Sequence, residues 1–220
     1  MANAIKAAIF DMDGTLVDSE RVAVKAWHGV ADRMGVDLPD SVINSMIGRN
    51  ERSCREIVCK QLKGDRELAQ EAFRVHVAIF DELCADELEL KPGALESIDE
   101  LRAIGCLVGL ATSTPRVRAV ARLERFGLAD AFAAVVCGDQ VERSKPAPDI
   151  FLTAAERLGV TPERCAVVED SLNGVRAGHA AGMHVFMVPD LVAPTAEIEA
   201  LCDAVLPSLH ELVAAVSAVR

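Results

Sequence analysis

Asp11 and Asp13 flank Met12 directly after the apolar run Ala7-Ala8-Ile9-Phe10, and Gly14-Thr15 follow them. Two carboxylates at alternating positions thus leave what reads as a buried strand, at the end where parallel-sheet proteins bind their ligands. Carboxylates this close repel one another unless a proton or a cation neutralises them. Near neutral pH a divalent metal is the simpler answer. An Asp beside Mg²⁺ is also a competent nucleophile toward phosphorus, because the metal offsets the repulsion between two anions. A strand ending in an Asp-Gly turn with two solvated carboxylates would carry the same residues, so the pentapeptide alone leaves both readings open.

Three further strand ends carry polar groups. Residues 107–111 run into Thr112-Ser113-Thr114, just ahead of a helix start, where hydroxyls and free backbone N–H groups suit a phosphate. Thr114 followed by Pro115 reads as an N-cap and first helical position, which leaves Thr112 surplus to capping. After residues 134–137 comes Ser144-Lys145-Pro146-Ala147-Pro148-Asp149. Its prolines stiffen the loop and pre-set where Lys145 points; an exposed surface lysine is the plain alternative. Residues 166–168 lead into Glu169-Asp170-Ser171, again at a helix start. One acid there could be a cap, whereas two, aligned with Asp11 and Asp13, read as metal ligands. Mg²⁺ takes oxygen donors, commonly one or two carboxylates completed by waters and substrate phosphate.

The elements that must position these groups follow from the apolar pattern. Short apolar stretches at 7–10, 107–111, 134–137, 166–168 and 184–188 are bounded by turn residues, as strands buried on both faces should be. Helical segments lie between them; Gly127 closes one, Pro148 opens another and Gly159 closes it. Such alternation implies an α/β fold with a central parallel sheet and helices on both faces. From Asp18 to about Leu83 the chain is instead helical throughout. Ala23, Trp27, Val30 and Met34 recur at helical spacing, as do Leu68, Ala72, Val75, Ile79 and Leu83, with a shorter stretch at Cys54, Ile57, Val58 and Leu62. Asp18 or Ser19 can cap the first of these helices and Gly35 can end it. Leu90-Lys91-Pro92-Gly93 punctuates the return to the sheet. The expected division is a core of residues 1–16 and 91–220 and an all-α insert of residues 17–90, placed in the chain to act as a lid, with Trp27 in the insert's own core.

Composition bounds the rest. The 220 residues are 51% hydrophobic, ample for a sizeable core, and the formal net charge is −11. That charge argues against a nucleic-acid grip, which needs a basic face. One local lysine and a metal can still reverse the field in a cleft for an anionic substrate. The seven cysteines are scattered without a Cys-x-x-Cys and read as small buried hydrophobes in a reducing compartment. With no secretory leader pattern and no apolar run long enough for a bilayer, the expectation is a cytoplasmic protein without membrane partners, by default a monomer. The five histidines lack ligand spacing and receive no role, and Asp81, Glu82, Asp86, Glu87 and Glu89 read as a solvated face.

Four segments together carry a resemblance: Phe-Asp-Met-Asp-Gly-Thr-Leu-Val-Asp-Ser at 10–19, Ala-Thr-Ser at 111–113, Ser-Lys-Pro-Ala-Pro-Asp at 144–149 and Glu-Asp-Ser-Leu-Asn-Gly at 169–174. In kind and order they resemble the haloacid dehalogenase superfamily, in its β-phosphoglucomutase-like phosphatase branch. The resemblance covers essentially the whole chain. It implies a three-layer Rossmann-like core with an inserted helical cap, and a phosphatase that hydrolyses a small phosphorylated metabolite, such as a sugar phosphate, with Mg²⁺ as cofactor. By position, Asp11 matches the nucleophile that forms an aspartyl-phosphate, and Asp13 the general acid/base. Asp11, the backbone carbonyl of Asp13 and Asp170 match the Mg²⁺ ligands, with Glu169 serving the metal directly or through water. Thr112, Lys145 and the Ser113 N–H match the groups that hold the transferring phosphoryl.

Relatives with other chemistries fit less well. Dehalogenases lack the second acid and the metal, whereas Asp13, Glu169 and Asp170 are all here. Phosphonate-cleaving relatives need a cap lysine after the glycine of the specificity loop, and here that loop reads Ile47-Gly48-Arg49-Asn50-Glu51-Arg52. A mutase of the β-phosphoglucomutase type is the second reading. Its cap histidine falls on Ala23 and its phosphate-gripping arginine on Glu51, unless a shift of register puts Arg49 or Arg52 there. A catalytically silent phosphate-binding or regulatory relative is the third, disfavoured because every chemical position is filled. Arg49, Asn50 and Arg52 are the expected substrate readers, and a solvated loop explains them nearly as well.

Overall fold

The computed structural model describes residues 4–47 and 51–219, with the backbone alone at Glu51. In chain order the elements are β1 (Ala7–Phe10), α1 (Ser19–Met34), α2 (Asp40–Met46), α3 (Glu51–Gln61), α4 (Arg66–Glu87), α5 (Ala94–Ala103), β2 (Leu107–Thr112), α6 (Arg116–Arg125), β3 (Ala134–Cys137), α7 (Asp149–Leu158), β4 (Cys165–Glu169), α8 (Leu172–Ala180), β5 (His184–Met187), α9 (Ala196–Glu199), β6 (Ala204–Val205) and α10 (Leu212–Ala218). The strands form one sheet in the order β3-β2-β1-β4-β5-β6, every pair parallel. This is the Rossmann-like α/β architecture.

β1 is fully buried because its four small or apolar residues are covered on both faces. Ala7 and Ile9 pack with Ile150, Phe151 and Ala154 of α7 and with Ala177 of α8; the alternate residues Ala8 and Phe10 turn to the opposite face, as the strand period requires. The register pairs Phe10 with Leu110 on one side and with Val168 on the other. Thus the chain segments after β1, β2 and β4 emerge side by side at one sheet edge, where the strand order reverses and ligands bind in such folds.

The chain divides into two compact units, residues 1–17 with 90–220, and residues 18–89. Val17 and Leu90 bridge to one another, and the Gly14 N–H donates to the Val17 carbonyl at 2.9 Å, which ties both residues to the sheet unit. In the helical unit α1 packs on α4. Trp27 meets Phe73 edge-on at 4.9 Å and stacks on His76 at 4.2 Å. The His76 Nε2–H donates to the Ala23 carbonyl at 3.2 Å, and burial holds the imidazole below its ordinary pKa. Gly35 ends α1 in the left-handed conformation at φ 63°. Among the described residues no helix is long and apolar enough to cross a membrane.

Two local readings are corrected. β6 was not expected; it has two residues, half-exposed Ala204 and exposed Val205, too few for a pattern, and is a strand only because β5 offers it an edge. Thr114 is not an N-cap: α6 begins one residue later, behind Pro115, without a side-chain cap, and the Arg116 N–H is met by Asp139 at 3.1 Å.

Candidate active site

Lys145 lies at the centre of the polar groups that the sheet gathers. Its side chain is 7% exposed, so the loop turns it inward rather than leaving it a surface lysine. All three ammonium protons are used: Nζ is 2.5 Å from Asp11 Oδ1, 2.6 Å from Glu169 Oε1 and 3.2 Å from the Ala111 carbonyl. The ammonium also lies 4.8 Å from the centre of the Phe151 ring. Burial opposes its charge, but Asp11 and Glu169 outweigh that and hold Lys145 above the usual lysine range.

Asp11 stands at the end of β1, with its N–H donating to the Val168 carbonyl at 2.9 Å. Its carboxyl is pushed up to about 8: burial raises it most, Glu169 and Asp13 add to the rise, and Lys145 opposes it. Lys145 pairs with both Asp11 and Glu169, and Arg122 pairs with Asp13. No donor among the described residues reaches Asp11 Oδ2, which leaves that oxygen open to an incoming group.

Glu169 ends β4 and is 1% exposed. Its Oε1 takes Lys145, and its Oε2 accepts from the N–H groups of Asp170 (3.1 Å) and Ser171 (2.9 Å) and from the Ser171 hydroxyl (2.8 Å). Both oxygens are thus occupied by protein donors. The carboxylate fits against the first turn of α8 because residue 174 is glycine: a Cβ there would lie 1.8 Å from the Glu169 carboxyl carbon. Asp170 is set by a parallel device. Its Oδ1 accepts from the Thr15 hydroxyl at 2.8 Å, and its carboxylate lies against Gly14, whose φ is +82° and whose Cβ would fall 2.3 Å from Oδ2. Gly14 is required there both for its backbone angle and for the space.

Asp13, close enough to raise Asp11, has partners of its own. Its Oδ1 is ion-paired with Arg122, and its Oδ2 accepts from the Thr114 hydroxyl at 2.6 Å and, at 3.5 Å, from that of Thr112. Thr112 is buried and accepts the Thr114 N–H at 3.1 Å; Ser113 is exposed beside it. The β2 and β3 loops approach closely here, since a Cβ on Gly138 would lie 2.2 Å from the Ser113 carbonyl oxygen.

Asp11, Asp13, Thr112, Lys145, Glu169 and Asp170 therefore all meet at the same end of β1, β2 and β4. Arg52 belongs to α3 of the helical unit; its side chain is 90% exposed and Nε is 3.4 Å from Glu56. Arg49 and Asn50 lie outside the described residues. Sequence reasoning missed Arg122 and the true role of Thr114. A signal for Arg122 was present: it falls on the buried stripe Ala119, Arg122, Leu123 of α6, where an arginine is out of place unless paired.

The donor set suits a small hard cation. Among the described residues no three His, Cys, Asp or Glu side chains converge as an all-protein cage. Such a cation can also be held by one or two carboxylates with waters completing its shell.

The parallel sheet thus presents a lysine-bridged acidic cluster at its switch point, the place where such folds bind ligands. The chain belongs to the haloacid dehalogenase-like hydrolase family, whose model matches residues 5–182. It is 37% identical over 182 residues to a phosphorylated carbohydrates phosphatase of Thermotoga maritima, covering 81% of this chain and 82% of that one. It is 35% identical over 219 residues to hexitol phosphatase B of Escherichia coli K12, covering 96% and 95%. A β-phosphoglucomutase from Clostridium difficile shares the fold at a TM-score of 0.71, with 24% identity over 94% of this chain and 93% of that one.

Proposed function

We propose that the protein is a Mg²⁺-dependent phosphatase of small phosphorylated metabolites, sugar phosphates foremost, working through an aspartyl-phosphate on Asp11. The observation that carries this reading is the buried Asp11 carboxylate, held through one oxygen by Lys145 and open at the other. Asp11 attacks phosphorus as the bond to the leaving oxygen breaks, and Asp13 gives that oxygen its proton. Asp13 then takes a proton from water as the water attacks the aspartyl-phosphate, which restores Asp11 and releases phosphate. Lys145, with Thr112 and the Ser113 N–H, offsets the charge of the phosphoryl oxygens. Asp11, Asp170 and the Asp13 carbonyl would hold Mg²⁺, which when bound lets two anions approach. Glu169 holds Lys145 through Oε1, and its remaining lone pairs would serve Mg²⁺ directly or through water.

The names of the two phosphatase relatives support sugar phosphates as substrates, and the net charge of −11 favours a small metabolite over nucleic acid. Two assays test the proposal: phosphate release from a panel of sugar phosphates, phosphoglycolate and nucleotides with and without Mg²⁺, and the same panel with Asp11→Asn. Mg²⁺-dependent release that Asp11→Asn abolishes is expected. Conversion of glucose 1-phosphate to glucose 6-phosphate without phosphate release would mean a mutase instead.

A further inference from the structure

Arg122 has no place in the chemistry described so far, yet it is 7% exposed on a helix face otherwise given to Ala119 and Leu123. A guanidinium at such a position is costly unless a well-placed acceptor meets it. Its Nη1 is met by Asp13, 109 residues away in sequence on the loop after β1. We propose that Arg122 is a positioning residue for Asp13, fixing the carboxylate so that its Oδ2, on the side of the Thr112 and Thr114 hydroxyls, is the oxygen that exchanges the proton. The inference rests on the reading of Asp13 as the proton donor.

The two oxygens of Asp13 differ in what surrounds them. Arg122 can only donate, so the oxygen it holds cannot present a proton to it. Thr114 Oγ1, 2.6 Å from Oδ2, can donate to a carboxylate and turn to accept from a carboxylic acid. Arg122 thus defines the rotation of the group and Thr114 accommodates either protonation state. Without Arg122 the carboxylate can turn about its side-chain bonds, and a misplacement of about 1 Å is enough to cost of the order of 100-fold in rate.

The effect should appear only where a proton is needed. A sugar phosphate expels a basic alkoxide that must be protonated, whereas 4-nitrophenyl phosphate expels a weakly basic phenolate. The ratio kcat/KM covers the steps up to loss of the leaving group, so comparing it between the two substrates isolates proton donation. Arg122→Met should lower kcat/KM about 100-fold on a sugar phosphate and less than about 3-fold on 4-nitrophenyl phosphate. Arg122→Lys should recover part of the loss. In an Asp13→Asn background Arg122→Met should add nothing further. Equal losses on both substrates, or a further loss in the Asp13→Asn background, would overturn the inference. Should Arg122→Met not fold, Arg122→Lys, which keeps the buried charge, carries the same comparison: a selective loss supports it and an equal loss overturns it. If Asp13→Asn itself loses no more on the sugar phosphate than on 4-nitrophenyl phosphate, the role of Asp13 fails, and the role of Arg122 with it.

Discussion

Gly174→Ala is a one-carbon change aimed at the support of the site. The new Cβ would lie 1.8 Å from the Glu169 carboxyl carbon and Oε1, against the ~3.5 Å that non-bonded heavy atoms need. Glu169 would have to move by roughly 1.7 Å, and its four donors, Lys145 Nζ, the Asp170 and Ser171 N–H groups and the Ser171 hydroxyl, cannot all follow. Hydrogen bonds to charged groups contribute about 1.5–3 kcal/mol each, so losing two outweighs the ~1 kcal/mol that alanine gains over glycine in a helix. The net expectation is a loss of about 3 kcal/mol, or a fall in Tm of roughly 6–12 °C for a chain of this size. Turnover should fall by at least about 100-fold, because Lys145 loses the partner that aims it. Gly178→Ala in the same helix is the control: the atoms nearest its Cβ are apolar, on the Val167 and Val185 side chains at 3.1 Å, so kcat/KM should stay within about 3-fold. Thermal unfolding and Mg²⁺-dependent phosphate release read both variants. Wild-type Tm and wild-type turnover in Gly174→Ala would refute the placement of Glu169.

Lys145→Met strands the buried Asp11 and Glu169 carboxylates and should cost about 3–5 kcal/mol in urea unfolding; adding Glu169→Gln should restore part of the stability but no activity. EDTA should abolish phosphate release and added Mg²⁺ should restore it, while the far-UV circular dichroism stays unchanged, since protein groups alone hold Lys145 in place. His76 is kept below 6.5 by burial, with the Ala23 carbonyl and Asp81 acting the other way. The unfolded chain therefore binds the extra proton first as the pH drops, and stability falls through about 6.5 and levels off below the folded value. A Tm series from pH 7.5 to 5 should show this fall, and His76→Phe should flatten it.

Most of the sheet was legible because its strands are short apolar runs between turn residues, a purely local pattern. β1 and β3 were read at their true bounds, and β2, β4 and β5 within one residue at either end. β6 was not, because two residues become a strand only through a neighbour's edge. The candidate site was legible as residue types at strand ends, and parallel register brings such ends together. Thr114 was misread because a threonine before a proline is a good cap by local rules, and only the fold supplies Asp13 as a better partner.

The sequence by itself determined which acids, hydroxyls and cations stand at the C-terminal ends of strands, since strand periodicity and turn chemistry act over a few residues. Tertiary structure decided how those groups are paired. Lys145 meets Asp11 across 134 residues, Thr15 meets Asp170 across 155, and Arg122 meets Asp13 across 109. Those partners are chosen by strand order and helix packing, and no local pattern encodes them. That Glu169 holds Lys145, and that an arginine on α6 holds Asp13, follow from which surfaces the sheet brings within 3 Å.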